Sequence, residues 1–285
     1  MYNDLSLQKH LPVPLTPRQL TFSNENMKLG RAVIELKRKY EAIARSWQTL
    51  TKSDRKQFEL QNLAPQIHPT TGNFIYAFRP DNFIFAVLGA NYWSHASYGA
   101  TEGKHLTIVN PWLIAGGLRK KSWFDMDQSV FQQLVPQFEA ATISDNTGLG
   151  SFSSWLKPFP LLWAEEGKNR IQSYQDTNTD LLTSVTICEF MPAASLRLYR
   201  SVLDNSVWLL RYVGGIDAHW DHQIQQMGAL RRQRFGKVVL PFPEVGVPLL
   251  QNYGVKIDKG WGAPWRLVKH AEIQECKHVR SQGWS

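Results

Sequence analysis

The chain has 285 residues, 43% of them hydrophobic, enough to bury a core in one large domain or two ordinary ones. That balance excludes global disorder. Thirty-two Lys/Arg against 24 Asp/Glu give a net charge of +8, which suits nucleic acid, an anionic membrane surface or an acidic protein, or serves solubility alone.

No apolar run approaches the roughly 20 residues of a membrane helix, so no membrane insertion is expected. The opening Met1-Tyr2-Asn3-Asp4 lacks a signal-peptide pattern, and a cytoplasmic or virion location is expected. Cys188 and Cys276 are too few for a disulfide scaffold and have no nearby partners for zinc. They read as incidental thiols of a reducing compartment.

The charge is segregated. Residues 27–56 carry nine Lys/Arg against three Asp/Glu, and residues 228–285 carry ten against four. The stretch 57–227 between them is net acidic by four. Positive patches flanking an acidic body follow from this pattern. The 11 tryptophans are dispersed and read mainly as core and interface anchors, with Trp261, Trp265 and Trp284 in the basic C-terminal stretch as the exceptions to watch.

Residues 1–22, with Pro12, Pro14 and Pro17, read as an extended arm. A helix follows, because Val33, Leu36, Tyr40, Ile43, Trp47 and Leu50 recur at alternating spacings of 3 and 4. Lys37, Arg38, Lys39 and Arg45 are expected on its solvent side as a partner-binding patch. Thr51-Lys52-Ser53-Asp54 fits a capping box opening a second helix, with Pro65 beyond its end. Residues 23–91 thus form a helical hairpin module. Glycine, serine and asparagine make 92–180 a loop-rich middle, with short apolar pieces at 106–109 and 131–138, and with 144–154 and 172–179 reading as loops. Val-, Leu- and Tyr-rich runs at 181–190, 195–201 and 207–213, separated by turn residues, predict an antiparallel meander. A helix over 220–235 and short strands through Leu267 complete a β-rich domain over 181–285. The expected fold class is α+β.

The stretch from Trp47 to Phe58, with Leu50-Thr51 between, resembles an HMG-box helix turn, but Pro65, Pro69 and Gly72 deny the third long helix which that fold needs. Together with Thr71-Gly72-Asn73, Asn82-Phe83-Ile84-Phe85 and Asn91, it also resembles the helical module of uncharacterised phage- and prophage-associated proteins. That likeness covers residues 27–91 and implies a structural role.

The densest polar cluster runs from Gly214-Gly215 through Asp217, His219, Asp221 and His222. Those four side chains can ligate a metal, and His219-x-Asp221-His222 resembles part of the metallo-β-lactamase signature, implying a metal-dependent hydrolase. Gly214-x-Ile216-Asp217-Ala218 is similar to the centre of the LAGLIDADG homing-endonuclease motif, with 110–117 resembling the approach to a first copy. In that family the motif's terminal acid, here Asp217 or the residue two beyond it, binds the catalytic metal. The first copy has Leu118-Arg119-Lys120 where its acid belongs, so the resemblance implies a degenerate DNA binder. The preferred reading is a tight turn with Asp217 capping the next helix.

Arg231, Arg232, Arg234 and Lys237 form the second candidate partner-binding patch, suited to phosphates or to a helix C-terminus. With no G-x-S-x-G, P-loop or dinucleotide glycine pattern in the sequence, no cofactor is expected and a catalytic role is disfavoured. The favoured expectation is a non-catalytic structural or assembly protein, plausibly of a virus or phage-like particle, that binds protein neighbours in an oligomer. A nucleic-acid-binding protein is the first alternative and the metal-dependent hydrolase the second.

Overall fold

A computed structural model of the chain describes residues 16–49, 66–67, 74–75, 80–89, 104–117, 126–146, 148–201, 205–213, 238–240 and 242–258. Helix α1 (Asn24–Thr49) begins where the Ser23 hydroxyl accepts the Asn26 N–H at 3.2 Å, with Glu25 favourable in the first turn. Val33, Ile34 and Leu36 bury its inner face. The expected helix is present. The capping box at 51–54, the second helix and the helix over 220–235 lie outside the described residues.

Strand β1 (Arg18–Gln19) precedes α1, and a two-stranded antiparallel ribbon, β2 (Gln66–Ile67) with β3 (Phe74–Ile75), follows it. Helix α2 (Pro80–Val87) starts on a proline, whose missing N–H costs nothing in a first turn. It is apolar nearly all round and correspondingly buried. Strand β4 (His105–Val109) leads through a short 3-10 turn (Pro111–Leu113) into β5 (Ile114–Ala115).

The segment 92–180 proves richer in regular structure than its glycine and serine content suggests. It holds helix α3 (Gln128–Ile143), strands β6 (Phe152–Lys157) and β7 (Leu162–Glu166), and helix α4 (Ile171–Asp176). The Asp127 carboxylate caps α3 by accepting the Ser129 N–H at 2.7 Å. Hydrogen bonds from the Ser129 side chain and backbone hold that carboxyl below its usual range. Asp145 ends the helix at φ 56°, in the left-handed region that aspartate tolerates.

Strands β8 (Leu181–Glu189), β9 (Leu196–Arg200) and β10 (Trp208–Tyr212) match the three predicted runs. They do not form one meander. β8 joins the first sheet, ordered β1-β4-β8-β6-β7-β5, while β9 and β10 form the centre of a second. β8 is antiparallel to β4 and parallel to β6, with His105 opposite Val185 and Trp155 opposite Ile187. The second sheet adds β11 (Val238–Val239) beside β10 and, after helix α5 (Pro243–Asn252), β12 (Lys256–Ile257) parallel to β9. The class is α+β.

One apolar cluster draws on α1, α2, both sheets and α5, including Ile34, Phe83, Leu156, Trp163, Leu198 and Leu250. Residues assigned by sequence to different segments therefore share a core. Phe83 packs on Phe242 at 5.4 Å, and Phe85 meets the Trp163 edge at 5.4 Å. A second cluster fills the space between α3, α4 and the first sheet, where Tyr174 stands edge-on to Phe131 at 4.9 Å. Burial pushes the Tyr174 hydroxyl well above its usual value. Among the described residues, no helix is long and apolar enough to cross a membrane.

Candidate partner-binding surface

Helix α1 lies against the 3-10 turn at Pro111–Leu113 and the loop at Pro160, and Gly30 makes that approach possible. A Cβ there would sit 2.5 Å from the Pro160 carbonyl oxygen and 2.8 Å from Leu113. Asn110 fixes the turn, its side chain accepting the Trp112 N–H at 2.9 Å. From α4, the buried Gln175 amide donates to the Pro111 and Ile114 carbonyls at 3.0 and 3.2 Å. Trp112 is thereby held half-buried beneath α1.

Two guanidinium groups, about two helical turns apart on α1, cover this ring. Arg31 lies 4.5 Å from its centroid and Arg38 5.3 Å. Arg31 also pairs with Glu35 at 2.9 Å, and Arg38 with Asp176 of α4 at 2.9 Å. Both pairs are solvent-accessible, so each contributes at most about 1 kcal/mol, as does each cation–ring contact. Their main effect is to hold two long side chains in a fixed arrangement.

The same face continues to Lys168. Gly116 admits the Lys168 backbone, since a Cβ there would lie 2.8 Å from the Lys168 carbonyl oxygen, and the Gly117 N–H donates to that oxygen at 3.1 Å. A narrow cleft between Lys37, Arg38, Gly117 and Lys168 has free space for about one water. Small-molecule sites need roughly 300–1,000 Å³. The cleft is far smaller than that.

Of the predicted patch on α1, Arg38 is half-exposed and Lys39 exposed, as expected. Lys37 corrects the expectation: it is 1% exposed and lines the floor of the cleft. Position 37 lies four residues after Val33 and three after Ile34, so it falls on the inner face, and its four-carbon stem suits such a place. The side chain of Arg45, although its backbone is in α1, lies outside the described residues. So do Arg231, Arg232, Arg234 and Lys237, and the alternative metal ligands Asp217, His219, Asp221 and His222. Among the described residues, no group of three or more His, Cys, Asp or Glu is placed to hold a metal.

Sequence reasoning missed Arg31, Trp112 and Lys168. Only the 3.6-residue periodicity, which sets Arg31 and Arg38 seven apart on one stripe, carried a trace of them.

Cys188 is the described thiol. It is buried on β8, and burial pushes it up to about 11, with the Glu165 charge adding to the effect and the Ser154 hydroxyl opposing it. A thiol held protonated is a poor nucleophile. In a Cys276→Ser variant at pH 8, the native chain is expected to react with a disulfide reagent on the order of 100-fold more slowly than the unfolded chain. Equal rates would contradict that burial. Because the folded value is raised, its contribution to stability is complete below the ordinary value of 9.0 and is lost as pH rises through about 11.

No protein-family model matches the chain, and neither a curated protein nor a solved structure does.

Proposed function

We propose that this chain is a structural or assembly protein that binds protein neighbours through the basic outer face of α1, in an oligomer such as a virus or phage-like particle. The observation that carries the reading is the Arg31–Trp112–Arg38 stack, two preset guanidinium groups over a half-buried indole. Arginine and tryptophan are the residues on which protein interfaces concentrate their energy. The phage-like setting rests on the resemblance of residues 27–91 alone.

Charge segregation favours a second copy as the neighbour. The segment 27–56 is net +6 and the stretch 57–227 net −4, so the basic face of one copy complements the acidic body of the next. Such a contact is head-to-tail, and it generates rings or open arrays. It is also screened by salt, because the Debye length falls from about 10 Å at 0.1 M to about 3 Å at 1 M.

Sedimentation velocity tests this reading. The wild-type chain is expected to associate at about 0.1 M salt and to dissociate towards 1 M. Arg31→Glu with Arg38→Glu is expected to weaken association at least tenfold with the melting temperature little changed, since both side chains are on the surface. A chain that stays monomeric at high concentration in low salt would overturn self-assembly.

A further inference from the structure

The second sheet carries a feature separate from the α1 face. Arg211 on β10 stands directly opposite Arg197 on β9, and Lys256 on β12 stands opposite the same Arg197 from the other side. Cross-strand partners share a face, so three cations form one row across three adjacent strands, at about 4.8 Å per step. Leu198 and Leu210 alternate onto the opposite face and into the core. Lys256 is exposed, and Arg197 and Arg211 are half-exposed.

Like charges set opposite one another destabilise a sheet. Among the described residues, none of the three forms an ion pair with an acid. Arg197 is instead anchored by its own backbone, donating from one nitrogen to the Ala194 and Leu196 carbonyls at 2.9 and 2.7 Å. A guanidinium has five N–H donors, and among the described residues no other group takes the remaining ones. Arg211 contacts the Tyr199 hydroxyl, which itself donates to Asp258 at 3.1 Å. That single carboxylate, set against three cations, leaves the row net positive.

We propose that the Lys256–Arg197–Arg211 row is a binding stripe for the phosphates of a single-stranded nucleic acid laid across the strands. Arginine matches phosphate oxygens bidentately, which favours an oxyanion ligand. The direction of the row selects the kind of chain. A peptide that augments a sheet runs along an edge strand and gains ladder hydrogen bonds, and one crossing the strands gains none. A nucleic-acid strand needs no such bonds, because its phosphates carry the affinity. Its flexible backbone can also place successive phosphates on three cations in a line.

Fluorescence anisotropy with a labelled 20-nucleotide oligo-dT and the full chain tests the stripe between 50 and 200 mM salt. The wild-type affinity is expected to fall with salt. Arg197→Gln with Arg211→Gln is expected to weaken binding at least tenfold at 50 mM and to reduce the log–log salt slope by about 1.4, or about 0.7 per phosphate contact. Lys256→Gln, at an exposed site that leaves the fold intact, is expected to reduce it by about 0.7 and decides the matter alone if the double variant does not fold. With the opposed like charges removed, the double variant is expected to melt no lower than wild type. Absence of oligo-dT binding at 50 mM, or slopes unchanged in the variants, would overturn the proposal. Competition by polyglutamate as effective as by unlabelled oligo-dT would overturn it too, in favour of an acidic polypeptide.

Discussion

Gly246→Ala is expected to lower the melting temperature by roughly 6–12 °C, the equivalent of about 3 kcal/mol in a chain of this size. In an exposed helix the same change would stabilise by about 1 kcal/mol, because alanine is the better helix former. The contact decides the sign. A Cβ at Gly246 would lie 2.2 Å from the Val87 carbonyl oxygen, where α5 crosses the end of α2. That obstacle is backbone, and no side-chain rotation relieves it. To admit the methyl, α5 must lift, opening the cluster that holds Phe83 against Phe242. A thermal scan by circular dichroism checks this. A melting temperature equal to or above wild type would mean that α5 and α2 are not packed this closely.

Gly30→Ala is expected to have a smaller effect on stability and a larger one on function. Here a Cβ would meet the Pro160 carbonyl oxygen at 2.5 Å and Leu113 at 2.8 Å. Leu113 can move, but the carbonyl can move only with its loop, so a net loss of about 2 kcal/mol remains after the helix-propensity gain. Arg31 is the next residue, and Trp112 precedes the displaced Leu113. The variant therefore separates α1 from the ring that presets its arginines. At temperatures where it remains folded, it is expected to associate about as weakly as the Arg31→Glu, Arg38→Glu chain. Full association by a folded Gly30→Ala chain would show that the arginine–tryptophan stack is not the docking element.

Local periodicity made some of this legible. The 3-and-4 spacing located α1, and runs of β-branched and aromatic residues located β8, β9 and β10. Helix α3 was obscured because Pro136 interrupts a glutamine-rich sequence, and an interior proline removes a hydrogen bond that a sequence reading counts on. The burial of Lys37 was legible in principle from its place relative to Val33. Its charge points to the solvent side, but a long methylene stem tolerates the inner face. Trp112 and the cation row were hidden for a different reason. Arg197, Arg211 and Lys256 meet only through strand register, and register across 14 and 59 residues is a tertiary property.

In the proposed assembly the outer face of α1 docks on a neighbour. Hydrogen–deuterium exchange on the associated and salt-dissociated forms tests it directly. Residues 28–39 and 110–117 are expected to gain protection on association, with little change over the buried strand β8. Equal exchange of 28–39 and 110–117 in the two forms would contradict it.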